Sequence, residues 1–200
     1  MKMRLYWVPR TRSSRVLWML EEVGAPYERT LVDLQNGGQR NPAYHAINPM
    51  EKVPALECEG AYVAESGAII AFLADEFPQA GLAPPIGDVS RGRYLQWLFF
   101  SPLIEMAITQ KFANVQMPEG TAGWGSFDKV FNVLSEVLSA SPYMLGERFS
   151  AADVVIGSDL HFVINLFKML EPRPEFTAYL ERCHSRPAYF RAKQIETDGV

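Results

Sequence analysis

The stretch KVPALECEGAYVAES, from Lys52 to Ser66, decides how the first part of this chain folds. β-Prone residues flank Glu59-Gly60 on both sides, which predicts two short strands joined by a two-residue hairpin loop. Pro54 stands at the mouth of this hairpin, although proline lacks an N–H and is normally confined to a strand's first residue, an edge or a bulge. A hairpin alone explains neither this proline nor the Glu65-Ser66 pair that follows.

Two strands and a helix are predicted before the hairpin. The run MRLYWV (Met3 to Val8) is rich in aromatic and branched residues, and apolar residues recur at helical spacing from Ser14 to Gly24. YERTLV (Tyr27 to Val32) then predicts a second strand. A strand, helix and strand with short links are typical of a parallel, right-handed βαβ unit. Residues 35–49 are rich in Gly, Asn and Pro and predict at most a short irregular helix.

The hairpin is followed by a helical pattern from about Ser66 to Glu76, which completes the order β-α-β-(α)-β-β-α. That order is the thioredoxin-like arrangement. Residues 78–88 are rich in proline and glycine and predict a linker. We therefore expect an α/β thioredoxin-like domain over residues 1–77 and an all-α C-terminal domain over residues 89–200.

The second half shows apolar stripes at helical spacing and no strand pattern. Pro102 interrupts the first stripe and predicts a kink or a break. The last long stripe, over residues 156–167, is apolar on all sides and predicts a buried central helix. Its start is marked by Ser150 as N-cap and Asp153 as the capping-box partner.

Composition and charge exclude several classes of function. The formal net charge is −4 and the pI is about 5.5, with Lys and Arg scattered, so neither nucleic acid nor an anionic membrane is an expected partner. No apolar run approaches the roughly 20 residues that span a bilayer, and the N-terminus lacks a signal-peptide core, so we expect a cytoplasmic protein. Two distant cysteines and three histidines without paired-ligand spacing predict no metal site.

Four motifs, in this order, resemble the cytosolic glutathione transferases of the bacterial type. They are RSSRVLWMLEEVGAPYE (residues 12–28), NPMEKVPALECEG (48–60), ESGAIIAFL (65–73) and YMLGERFSAADVVIGSDL (143–160). The resemblance extends over essentially the whole chain. It implies the glutathione transferase fold, a homodimer, and a detoxification enzyme that conjugates glutathione to a hydrophobic electrophile or reduces a peroxide with it. Glutathione is then a co-substrate, and no separate cofactor is expected.

The resemblance also implies a set of glutathione-binding residues. Val53-Pro54 corresponds to a cis peptide whose exposed backbone pairs with the cysteinyl part of glutathione like an added strand. Glu65-Ser66 corresponds to the site of the γ-glutamyl group, at a helix N-terminus that favours carboxylates. Lys52 corresponds to the residue that reaches the glycyl carboxylate, with Arg40 or Gln39 as helpers. Without the resemblance, Pro54 is interpreted as a trans proline at a sheet edge, Ser66 as a helix cap and Lys52 as a solvated surface lysine.

The thiol of glutathione must be activated, because lowering a pKa of about 8.5 by two units takes about 2.7 kcal/mol of preference for the anion. By resemblance, Thr11 occupies the position of the catalytic serine in several serine-type classes, and Ser13 is the next candidate. Arg12 would add positive potential at glutathione, and Ser14 is assigned to the helix cap. Tyr6, in the first strand, is the less favoured alternative, as in tyrosine-type classes.

Two other functions remain open at this point. Fold alone does not decide activity, and threonine in place of serine leaves room for a non-catalytic interaction or regulatory protein of the same fold. A glutathione-dependent isomerase is the weaker alternative, because the expected S-S-C-type run after the first strand is absent. The lack of cysteine near residues 9–15 also disfavours a cysteine-type, glutaredoxin-like enzyme.

Overall fold

In the computed structural model, which describes residues 1–118 and 120–198, the chain forms two compact units. The first contains Met1–Ala80 and the segment from Arg186, and the second contains Gly81–Ser185. The strands are β1 (Met3–Trp7), β2 (Glu28–Leu31), β3 (Ala55–Cys58) and β4 (Ala61–Ala64). The helices, in chain order, are α1 (Ser13–Val23), α2 (Pro42–His45), α3 (Ser66–Glu76), α4 (Ser90–Leu98), α5 (Ser101–Ala113), α6 (Phe127–Ala140), α7 (Ala151–His161), α8 (Pro174–His184) and α9 (Pro187–Asp198).

The first unit contains one mixed four-stranded sheet, in the order β2-β1-β3-β4. Strand β1 is parallel to β2 and antiparallel to β3, and β3 and β4 form the hairpin predicted around Glu59-Gly60. Along β1 the side chains of Met3, Leu5 and Trp7 are buried and the intervening ones are not, as expected when one face of a strand packs on the core. The thioredoxin-like fold class is confirmed.

Helix α9, which the sequence patterns did not predict, packs against α1 within the first unit. Arg186 donates two hydrogen bonds to Glu22, at 2.6 and 2.7 Å, and the rings of Trp18 and Tyr189 lie edge to face at 5.1 Å. These contacts group the chain from Arg186 with the sheet, whereas the expected helical domain ran to residue 200. The difference arises because α9 finds its apolar and charged partners on α1.

The second unit is helical, as expected, and α7 is its most buried element. Every residue from Ala151 to Leu160 is buried, and the capping box between Ser150 and Asp153 is present. Asp153 also accepts a hydrogen bond from the Met144 N–H at 2.8 Å. The predicted break at Pro102 is confirmed, since α4 ends and α5 begins just before it. No helix of the described residues is long and apolar enough to cross a membrane.

Candidate functional site

The bend before β3 is held by two buried side chains. The carbonyl oxygen of Lys52 accepts a hydrogen bond from the Tyr44 hydroxyl at 2.6 Å and from Asn48 Nδ2 at 2.8 Å. Tyr44 lies in α2 and Asn48 in the turn just after it, and both are buried. The Val53-Pro54 peptide that follows is cis, which confirms the prediction for this bond. Asn48 lies in one of the four motifs quoted above, but no role was predicted for it. No sequence pattern indicated a role for Tyr44.

Val53 is the residue at this bend whose backbone remains available. Its N–H and C=O form no hydrogen bond with another of the described residues, and the residue is partly exposed, whereas Pro54 is buried. Unpaired backbone groups require a partner, either water or a ligand. The arrangement can accept an extended peptide-like ligand in the manner of an added strand.

The N-terminus of α3 lies on the chain immediately after the hairpin. Glu65 is exposed and adopts a positive φ of 65°, and Ser66 is the first helical residue rather than the N-cap. No acidic side chain lies in the first turn of α3. Arg15, which is only 1% exposed, places Nη1 3.5 Å from the Ser66 hydroxyl oxygen. The free N–H groups of a first turn, together with this buried guanidinium, favour an anionic group at Ser66.

The loop between β1 and α1 holds Thr11 and Ser13 in direct contact. The Thr11 hydroxyl donates to the Val8 carbonyl oxygen at 2.7 Å, accepts from the Ser13 N–H at 3.1 Å, and lies 3.0 Å from the Ser13 hydroxyl oxygen. Ser13 is fully buried and its hydroxyl accepts from the Val8 N–H, whereas Thr11 is partly exposed. Thr11 is therefore the more accessible of the two candidate hydroxyls.

Ser14 does not cap α1, contrary to the expectation from the sequence. The helix begins at Ser13, and the Ser14 hydroxyl makes a short hydrogen bond to Glu196 of α9. Ser14 is not the cap because Thr11 Oγ1 already accepts a hydrogen bond from the Ser13 N–H, the first N–H of the helix. The Ser14 hydroxyl binds the Glu196 carboxylate instead. No sequence signal pointed to Glu196, since it is separated from the loop by more than 180 residues.

Tyr6 is engaged elsewhere. Its hydroxyl donates to Glu57 Oε2 at 3.0 Å, and its ring lies 6.0 Å from that of Tyr44. Burial raises the pKa of the Tyr6 phenol, partly opposed by the hydrogen bond with Arg4. The Tyr6 proton is directed to a carboxylate, which is a stronger acceptor than the Val8 carbonyl oxygen that receives the Thr11 proton. Tyr6 is therefore the harder of the two to redirect to a thiolate.

The remaining predicted residues are cationic side chains of exposed segments. Lys52 and Arg40 are exposed, Arg40 at the end of a single 3₁₀ turn (Gly38–Arg40), and neither pairs with an acidic side chain in the part of the chain that is described. Arg12 is partly exposed at the start of α1. Among residues 1–118 and 120–198, no group of three His, Cys, Asp or Glu side chains is arranged to hold a metal ion.

Comparison with known proteins covers both units. Residues 11–76 match the glutathione S-transferase N-terminal domain, and residues 71–182 match the glutathione S-transferase C-terminal domain. Among curated proteins, glutathione S-transferase GstA of Escherichia coli O157:H7 is 27% identical over 192 residues, which cover 92% of this chain and 94% of that protein.

Solved structures agree with these matches. A glutathione transferase from Methylococcus capsulatus strain Bath is 31% identical, with a TM-score of 0.77 and 98% of each chain covered. A sphingomonad glutathione S-transferase, solved in complex with glutathione, is 28% identical, with a TM-score of 0.79 over 97% of this chain and 98% of that one. Both family models and the relatives of similar length give the same result: the protein belongs to the glutathione S-transferase family and is a glutathione transferase.

Proposed function

We propose that residues 1–77 bind glutathione along the bend at Val53-Pro54 and present its sulfur to Thr11 for attack on a hydrophobic electrophile or a peroxide. The observation that carries this proposal is the unpaired backbone of Val53, beside a bend held by Tyr44 and Asn48. Two main-chain hydrogen bonds to the cysteinyl part of glutathione satisfy both backbone groups at once.

The two ends of glutathione carry charges that match the flanking residues. The γ-glutamyl carboxylate binds at the α3 N-terminus, where Ser66 and the buried Arg15 provide hydrogen-bond donors and positive potential. Glu65 is exposed beside this point and accepts the ammonium of the same group. Lys52 and Arg40 bind the glycyl carboxylate, since both are exposed cations without an acidic partner among the described residues.

Thr11 activates the thiol by a change of hydrogen-bond partner. In the structure its hydroxyl proton points to the Val8 carbonyl oxygen, 2.7 Å away. When a sulfur atom binds beside the loop, rotation of the hydroxyl about the Cβ–Oγ1 bond redirects this proton to the sulfur and stabilises the thiolate. A hydrogen bond to a charged group contributes about 1.5–3 kcal/mol, which is the order needed to lower a thiol pKa by one to two units.

The thiolate then acts as the nucleophile. With an electrophile, a carbon–sulfur bond forms and the leaving group departs with the bonding electron pair. With a peroxide, the sulfur takes one oxygen as the O–O bond breaks and an alcohol is released, and a second glutathione displaces that oxygen as water to give the disulfide. Both reactions need only the activated thiolate, so the same site serves for either.

Glutathione binding is tested by calorimetric titration of wild type and variants. We expect Ser66→Ala and Lys52→Ala to weaken binding about threefold to tenfold, which corresponds to the loss of one hydrogen bond or ion pair. Lys129→Ala, which removes an exposed lysine of the second unit, is the matched control and should bind normally. If the wild-type protein fails to bind glutathione at millimolar concentration, the proposal is wrong and a non-catalytic role of the fold is favoured.

Thiol activation is tested by titrating thiolate absorbance of the glutathione complex against pH. Thr11→Val, which keeps the shape and removes the hydroxyl, should raise the apparent pKa by about one unit or more, roughly 1.4 kcal/mol. Thr11→Ser keeps the hydroxyl and should stay close to wild type. If the titration curve of Thr11→Val is unchanged, Thr11 does not activate the thiol, and backbone N–H groups or another hydroxyl must do so.

We also propose that the protein is a homodimer of the cytoplasm. Support for the dimer comes from family membership alone, and sedimentation decides it: a mass near 22.5 kDa at micromolar concentration would contradict the proposal. A reducing compartment suits an enzyme that consumes reduced glutathione, and neither Cys58 nor Cys183 forms a disulfide. Fractionation of cells that express the tagged protein tests the location.

A further inference from the structure

We infer that Glu196 is a positioning residue that sets the orientation of Thr11 through the loop between β1 and α1. This inference rests on the proposed role of Thr11 in thiol activation. Glu196 belongs to α9, has a side chain that is only 7% exposed, and makes contacts with the loop on both sides of Thr11. The family matches end at residue 182, so α9 lies outside them.

The contacts of Glu196 are divided between its two carboxylate oxygens. Oε1 accepts from the Arg10 backbone N–H at 3.3 Å and makes a short hydrogen bond with the Ser14 hydroxyl. Oε2 accepts from Lys193 Nζ at 2.7 Å. One oxygen therefore binds the loop at residues 10 and 14, while the other is neutralised by a cation of its own helix.

The loop needs such an external contact because its backbone is not in a low-energy conformation. Arg10 has a φ of 59°, the left-handed region that a non-glycine residue rarely adopts and retains only when its surroundings enforce it. The hydrogen bond from the Arg10 N–H to Glu196 fixes this peptide directly before Thr11. Without it, Arg10 is free to return to negative φ, and the Thr11 Cα–Cβ bond then turns away from its present direction.

The internal contacts of the loop do not replace this support. Thr11 and Ser13 bond to Val8 and to each other, so they fix the loop relative to β1 and the first turn of α1. None of these bonds involves the Arg10 peptide or the Ser14 hydroxyl. Glu196 alone, among the described residues, binds both of these groups.

This role predicts a specific signature in the titration of bound glutathione. Glu196→Ala should raise the apparent thiol pKa in the same direction as Thr11→Val, by about half a unit or more, a change of about threefold or more in the thiolate-to-thiol ratio. It should lower kcat more than it raises the KM for glutathione, because Val53 and Ser66 are untouched. Glu196→Gln keeps an acceptor oxygen for the loop and should restore most of the wild-type pKa.

The controls separate positioning from a general effect on the helix or on charge. Asp198→Asn removes an exposed carboxylate two residues further along α9 and should leave the titration unchanged. A Thr11→Val/Glu196→Ala double variant should show the pKa of Thr11→Val alone, because Glu196 acts through Thr11. If Glu196→Ala does not fold, Ser14→Ala removes one of the two loop contacts of Glu196 and should shift the pKa in the same direction by a smaller amount.

The outcomes distinguish this inference from the proposed function. If Thr11→Val shifts the thiol pKa and Glu196→Ala, or Ser14→Ala in its place, does not, then the positioning role is overturned and Thr11 remains the activator. If neither variant shifts it, both statements are overturned. If Glu196→Ala shifts the pKa and Thr11→Val does not, Glu196 acts on another group, which also overturns the inference as stated.

Discussion

The hydroxyl of Tyr44 donates to the carbonyl oxygen of Lys52 across 2.6 Å, so that a side chain of α2 holds the main chain just before the cis peptide. Tyr44 is 6% exposed, and its burial, with a smaller effect of the nearby Tyr6, raises its pKa to about 12. An unfolded tyrosine ionises near pH 10. The protonated phenol therefore stabilises the fold fully below about pH 10, and this contribution is lost as the pH rises through about 12.

Tyr44→Phe should destabilise the protein by about 1 kcal/mol at pH 7, because one buried hydrogen bond is lost. The Lys52 carbonyl oxygen still accepts a hydrogen bond from the Asn48 side chain. The difference in unfolding free energy between wild type and variant should narrow between pH 10 and 12, where only wild type loses the contribution of Tyr44. Urea unfolding at a series of pH values measures this difference in unfolding free energy. Tyr62→Phe, at an exposed position, is the control, and a constant difference for Tyr44→Phe would contradict the expectation.

The pair Glu22–Arg186 should contribute more to stability than the pair Glu21–Arg191, although both join α1 to the C-terminal segment, Arg186 just before α9 and Arg191 within it. The first is bidentate and its carboxylate is 5% exposed, whereas the second has an arginine that is 52% exposed. Double-mutant cycles should give a coupling of about 1–2 kcal/mol for the first pair and less than about 1 kcal/mol for the second. Equal couplings in urea unfolding would show that burial does not set their strength.

Asp153→Ala should be among the most destabilising substitutions of the second unit. The carboxylate accepts hydrogen bonds from the N–H groups of Met144 and Ser150, both at 2.8 Å, and from the hydroxyls of Ser150 and Tyr179. Removing it leaves buried donors without partners, and we expect a loss of about 3 kcal/mol or more. Asp128→Ala, in the exposed first turn of α6, should lose less than about 1 kcal/mol and is the matched control.

Neither cysteine should behave as a reactive thiol. Burial raises the pKa of Cys58, with further contributions from the negative charges of Glu59 and Glu76, and Cys183 is fully buried. A higher pKa leaves less thiolate at a given pH, so at pH 8 the folded protein should react with a thiol reagent at least about tenfold more slowly than free glutathione. The rate should rise with pH, and both thiols should react at once in denaturant. Fast labelling of Cys58 in the folded protein would contradict this expectation and would again favour a cysteine-type enzyme.

Patterns that depend on local chemistry predicted much of the first unit. The Glu59-Gly60 turn and the βαβ order depend on neighbouring residues, and the structure confirms both. The cis peptide at Pro54, which is also confirmed, was expected from the family resemblance instead. The start of α7 could also be predicted from the sequence, because both residues of its capping box lie within a stretch of four residues. In each case, the residues that determine the structure are the ones that show the pattern.

Features that depend on distant contacts were not predicted. Helix α9 has a mixed surface and gains its place from α1, so its own sequence does not reveal where it packs. Ser14 looked like a helix cap because serine favours that position, but a carboxylate from α9 competes for its hydroxyl. The accessible hydroxyl could not be chosen either, since only the folded loop shows that Ser13 is buried and Thr11 is not.

The packing of α9 on α1 has a consequence for synthesis of the protein. The sheet is encoded within the first 80 residues, but the surface of α1 that receives α9 stays uncovered until residues 81–185 have been translated. At about 5–20 residues per second this delay is roughly 5 to 20 s. Nascent chains in that interval expose Trp18 and the carboxylates of Glu21 and Glu22, so ribosome-bound intermediates arrested before Arg186 should be substrates for chaperones, and the interval should end when the last helix emerges.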